Sequence, residues 1–174
     1  MSKPAVTAAL PIAYGVLRVL IVVNWLYGAA IFALLVITPN REWIMAALHV
    51  PASPEGERLI IGMRAIAVLG LAAIPLHYVV LKRLLAIVAT VREGDAFVAA
   101  NAYRLQAIGW ALFALQLLSL VIGALARSVS TPAQPLHLDA GFSISGWLAV
   151  LFTFVLAGVF AEGTLMRDDL EGTV

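Results

Sequence analysis

Four apolar runs, Pro11–Ile37, Leu59–Leu81, Leu105–Ala126 and Phe142–Phe160, decide what this chain can fold into. Each approaches or exceeds the ~20 residues that a helix needs to cross roughly 30 Å of hydrocarbon. Lipid offers no partner to a free N–H or C=O, so a spanning segment must satisfy its backbone internally. The runs are long and continuous rather than alternating, which selects helices over strands. Composition agrees. Of 174 residues, 63% are hydrophobic and 12% charged, against roughly half and a quarter in soluble domains. The expectation is an all-α integral membrane protein, one domain built as a four-helix bundle.

Several function classes drop out early. A formal net charge of +1 offers no broad basic face for phosphate contacts, so direct nucleic-acid binding is not expected. The chain has no cysteine, which removes disulfides, thiolate catalysis and cysteine metal sites. The first run is too long for the ~7–15 apolar residues of a signal peptide, so it reads as an uncleaved span.

The connections carry the polar residues. Thr38-Pro39 ends the first span, because proline lacks a donor and drives its predecessor out of helical geometry. The loop Asn40–Arg58 holds one short amphipathic stretch, Arg41–Leu48, whose Trp43 suits a membrane interface. Arg127–Gly141 is polar and broken by Pro132 and Pro135, and Ala161–Val174 is a polar tail.

The stretch Leu81–Leu105 contains four of the 11 Lys/Arg residues: Lys82, Arg83, Arg92 and Arg104. Leu81, Leu84, Leu85, Val88 and Val91 fall at three- and four-residue spacing, one stripe of a continuing helix. Gly94 supplies a positive-φ stop, and Asp95 is placed to cap the next helix. Ala96–Ala126 then reads as one helix of about 46 Å, longer than the hydrocarbon is thick. Residues 82–104 therefore form a hairpin projecting into water, with Leu84 and Val88 packed against Phe97 and Leu105. Lys3, the hairpin's four and Arg167 lie on one side; Arg41, Arg58 and Arg127 lie on the other. That bias places both termini and the hairpin in the cytoplasm, in a multi-pass membrane protein.

The pattern Gly94-Asp95-Ala96-Phe97, then Asn101, Arg104-Leu105 and Ile108-Gly109, resembles the membrane family catalogued as domain of unknown function 2975. So does the final stretch VLAGVFAEGTLMRDDLEGTV, and the resemblance covers roughly Ile61 to Val174. It implies four helices, no established enzymatic activity and no catalytic residues to transfer. Members are often encoded beside small helix-turn-helix regulators, which implies a regulatory pairing.

Charged side chains within spans are costly, by roughly 2.5–3.5 kcal/mol on insertion scales, and are candidate sites for that reason. Arg18 and Glu162 sit at similar depth with opposite sign. They either pair between the first and last helices or snorkel separately to the interface. Arg64 either snorkels outward or faces Asn24 and Gln116 near mid-bilayer, where Ser119 adds another polar group. No His or acidic spacing suggests a metal, cofactor or nucleophile site. The leading expectation is a non-enzymatic membrane protein that regulates a small cytoplasmic partner, such as a helix-turn-helix transcription regulator. Leu84, Val88, Arg92, Phe97 and Arg104 would supply one edge of the contact, and Asp168, Asp169 and Glu171 the acidic charge. The alternative is a small transporter or ligand-binding bundle using Arg18, Asn24, Arg64, Gln116 and Glu162. Beyond the lipid bilayer itself, self-association is left open.

Overall fold

A computed structural model describes residues 3–38, 41–47, 49, 51–130 and 138–171. Its helices are α1 (Lys3–Ile37), α2 (Arg41–Ala47), α3 (Pro54–Arg92), α4 (Ala99–Val129) and α5 (Ile144–Glu171). Four of them, all but α2, are long and apolar enough to cross a membrane. The bundle is open. The spanning helices stand in one row, α1 on α3, α3 on α4 and α4 on α5, and among the described residues α1 approaches neither α4 nor α5. Lipid must then cover both broad faces and both ends of the row, which explains the exposed Val19, Val22, Phe32, Val155 and Val159.

Local chemistry sets the helix ends. Ser53 begins α3 by accepting from the Gly56 N–H, and Pro54 takes the first position, where its missing donor costs nothing. At the other end Gly94 adopts φ 89°. The Gly94 N–H reaches Val91 O and the Asp95 N–H reaches Thr90 O, the two bonds of a Schellman stop. Asp95 does not cap α4. Residues 95–98 are not helical, α4 begins only at Ala99 and Val98 holds the cap position without a side-chain bond, while the Asp95 carboxylate meets Arg167 on α5.

Charges in the row form two belts. At one end Arg64 on α3 donates to the Thr38 carbonyl at the end of α1, and Val129, beside Arg127, packs on the start of α3. At the other end Arg104 on α4 donates to Ala86 O on α3, near Arg83. Between the belts run about 30 Å of α1 (Arg18 to Thr38), 28 Å of α3 (Arg64 to Arg83) and 34 Å of α4 (Arg104 to Arg127) at 1.5 Å per residue. Those lengths match the hydrocarbon core. Beyond the second belt α3 continues for over two turns to Arg92, whereas α4 adds less than two turns before it.

The projecting end is broader than a lone hairpin. The N-terminal part of α1 lies beside it, with Tyr14 under the Arg92 guanidinium at 4.9 Å. The expected polar tail is helical as far as Glu171. Phe97 does not pack on Leu84 and Val88 as expected; its ring meets Phe160 of α5 at 5.2 Å. Leu84 does face Leu105, in a cluster with Ile108 and Ala157.

Candidate functional site

The family-like block at the α3–α4 connection builds a polar network around Asn101, which is fully buried. Its Nδ2 donates to Thr90 Oγ1 at 2.9 Å and to Ala96 O at 2.8 Å. Its Oδ1 accepts from Arg104 Nη1 at 2.7 Å. The amide thus bonds α3 through Thr90, the turn through Ala96 and α4 through Arg104, so Asn101 ties the two helices together at their connection. Arg167 Nη1 then reaches Asp95 Oδ1 at 2.5 Å, tying α5 to the same turn. Asn101 and Arg104 stand three residues apart on α4, a spacing that allows their bond, but their bonds to Thr90 and Ala86 exist only once α3 comes alongside.

Between α4 and α5 an apolar groove of about 440 Å³ straddles the second belt. Small residues open it: Ala99 and Ala102 on α4, Gly158 and Ala161 on α5. Tyr103 and Leu165 line its outer half and are exposed, and Gln106 and Thr164 are its polar lining.

The intramembrane candidates do not converge. Arg18 Nη2 donates to Tyr14 Oη on its own helix at 2.9 Å, with its guanidinium 4.8 Å from the Tyr14 ring. Glu162 is exposed on α5, and two helices separate it from Arg18, so the expected pair is absent from the described structure. Asn24 Nδ2 bonds Ile74 O at 3.1 Å. Arg64 lies ten residues from that carbonyl, about 15 Å along α3, and points outward to Thr38 instead. Gln116 faces α5, where a Cβ at Gly146 would strike its amide nitrogen.

Among the partner candidates, Arg92 is exposed above Tyr14, Arg104 is held in the Asn101 network, and Leu84 and Val88 are part-buried along the row. The side chains of Asp168, Asp169 and Glu171 lie outside the described residues. No group of three His, Cys, Asp or Glu among the described residues is placed to hold a metal.

One feature escaped the sequence. Residues 138–143 are not helical, yet they run back along α4. Gly141 bonds Ser119 Oγ through both its N–H (3.1 Å) and its carbonyl (3.2 Å). Ser119 lies about 12 Å inside the Arg127 belt, so irregular backbone enters the hydrocarbon level. Such backbone is tolerated only where protein buries it and supplies its bonds, and Gly141 is buried. Beside it, Gln116 Oε1 and Trp147 Nε1 are inaccessible and have no hydrogen-bond partner.

Helices of this length and apolarity, bounded by two belts of charge, define a multi-pass α-helical membrane protein. The chain belongs to the family DUF2975, described as protein of unknown function, whose model matches residues 29–174. The match thus begins within α1, earlier than the Ile61 suggested by the motifs. No curated protein and no solved structure matches the chain.

Proposed function

We propose that the protein is a non-enzymatic membrane partner that holds a small cytoplasmic protein, such as a helix-turn-helix regulator, at its α3–α4 end. The observation that carries this reading is the apolar groove between α4 and α5 opening above the second charge belt. Apolar surface in the bilayer is covered by lipid, but Tyr103 and Leu165 at the groove's outer end are exposed at the level of the second belt and beyond it, where a water-borne partner can meet them. A groove floored by small residues and flanked by aromatic and aliphatic side chains receives an amphipathic helix. The contact therefore shifts from the Leu84/Val88 stripe, which packs within the row, to the α4–α5 side. Arg92, over Tyr14 at the same end of the row, and the acids that the sequence places at 168, 169 and 171 would supply charge to the contact. A regulator held there cannot reach its operator, and a stimulus releases it only by binding the two states differently.

The test is binding of the adjacent gene's purified product to the full-length protein in nanodiscs. Ala102→Trp and Ala161→Trp fill the groove, and each should abolish recovery of the product. Deleting Asp168–Val174 should weaken recovery most at low salt, where charge is least screened. Equal recovery by the filled and native grooves would sink the proposal.

A second reading, a small transporter or ligand-binding bundle, draws on a different observation. Gln116 Oε1 and Trp147 Nε1 are buried and unpartnered beside irregular backbone at membrane depth. A polar solute would satisfy both. Uptake by proteoliposomes that disappears with Gln116→Leu would favour this reading over the first.

A further inference from the structure

We propose that the trough beginning at Arg64 binds an anionic membrane lipid, its phosphate on the guanidinium and one acyl chain lying between α1 and α3. The site is at the opposite end of the row from the α4–α5 groove and does not depend on the function proposed above.

Arg64 is half-buried in a cavity of about 230 Å³ between α1, α2 and α3, whose other lining residues, Thr38 apart, are all apolar. Its Nη2 donates to the Thr38 carbonyl, the negative end of α1. Capping that helix uses one of the five guanidinium N–H groups. Nε is inaccessible and has no partner, and no described carboxylate pairs with the side chain. That enclosed Nε is out of a ligand's reach, but the Nη N–H groups that Thr38 does not use stand at the edge of hydrocarbon and suit an anion that accepts two N–H bonds in parallel, the geometry of a phosphate.

The cavity also explains why the anion should carry a chain. A second cavity of about 310 Å³ shares Ile31, Met63 and Ala67 with the first, continues toward mid-bilayer past Tyr27 and Gly70, and is closed on its far side by Ile122 of α4 and Leu138. From Thr38 to Tyr27 the trough descends about 16 Å along α1. Cation at the level of the phosphates, apolar channel directly below: a free phosphate would use the first and leave the second bare. A zwitterionic lipid would bring a choline cation to the same arginine, so the preference is for net negative headgroups such as phosphatidylglycerol.

The experiment uses the full chain in detergent, titrated with phosphatidylglycerol, phosphatidylcholine or glycerol 3-phosphate, with bound lipid counted by native mass spectrometry. The expected result is retention of phosphatidylglycerol roughly tenfold tighter than phosphatidylcholine, as befits hydrogen bonds to a charged group, and no binding of glycerol 3-phosphate. Arg64→Gln should erase the headgroup preference. Ala67→Trp, which blocks the channel and leaves the guanidinium in place, should weaken both lipids and decides the matter if Arg64→Gln fails to fold. Unchanged phosphatidylglycerol retention by folded Ala67→Trp, or an unchanged preference in folded Arg64→Gln, overturns the assignment.

Discussion

Arg167 Nη1, one turn from the end of α5, meets Asp95 Oδ1 at 2.5 Å in the turn that joins α3 to α4. This link between the last helix and the α3–α4 turn depends on charge, whereas Phe97 on Phe160, beside it, is aromatic. Both ionic partners are more than two-fifths exposed, at 46% and 41%. An ion pair so open to water contributes little, at most about 1 kcal/mol. Arg167→Ala should therefore leave unfolding in mixed micelles nearly unchanged, while hydrogen exchange in the last two turns of α5 accelerates. A loss well above that size would show that the pair anchors the helix energetically.

Asn101 should behave oppositely. Removing its amide leaves the Ala96 carbonyl and one Arg104 donor without that partner and leaves Thr90 Oγ1 only its donation to Ile87 O, and no water reaches a fully buried site easily. Asn101→Ala should cost about 2–3 kcal/mol, read as a lower unfolding midpoint. A double mutant with Thr90→Val should cost less than the sum, because each single change already removes the bond between Asn101 and Thr90.

Arg18 and Glu162 offer the reverse case. The row places α3 and α4 between their helices, and Arg18 already bonds Tyr14. Arg18→Ala and Glu162→Ala should be additive within about 0.3–0.5 kcal/mol. Coupling beyond that range would mean that α1 and α5 close upon each other in the membrane.

Orientation rests on the lysines and arginines of the short connections. Reporter fusions at Gly94 and after Val174 should both be cytoplasmic, and one at Ser53 external. An external Gly94 would overturn the cytoplasmic-partner proposal along with the topology.

The helices were legible in the sequence because hydrocarbon imposes a length and forbids charge. The four runs, the Gly94 stop and the short α2 follow from that and from local backbone chemistry. Lateral order was not legible. Pairing Arg18 with Glu162 assumed a closed ring, and nothing in an apolar helix face says which neighbour covers it when lipid serves as well. Asp95 misled for a related reason: its position fits a helix cap, but α4 begins only at Ala99 and the carboxylate meets Arg167, distant in sequence. The irregular stretch before α5 was read as an ordinary polar loop ending at Gly141. That it runs down α4 depends on Ser119 and Gly123, two small residues that look like generic interface positions until a backbone lies against them.

That packing gives the sharpest test of the fold. A Cβ on Gly123 would sit 2.6 Å from Ala140 O and 2.8 Å from the Gly141 Cα. These are backbone atoms already fixed by Ser119, so they cannot swing aside as a side chain end would. Gly123→Ala should push residues 138–143 away from α4 and cost about 1–3 kcal/mol, the usual range for overpacking. Gly15→Ala is the control, since nothing lies within 4 Å of its new Cβ, and it should be neutral or stabilising by roughly 0.5–1 kcal/mol through helix propensity. Ser119→Ala removes both bonds to Gly141 and should destabilise the same segment. Combined with Gly123→Ala it should add little, because the segment has already lifted off. The measurement is unfolding midpoint together with alkylation of a cysteine placed at Ala140, which should be protected in the native protein and reactive in both variants. If Gly123→Ala matches Gly15→Ala in stability and Ala140 stays protected, the stretch does not lie on α4 and α5 must begin nearer the membrane surface.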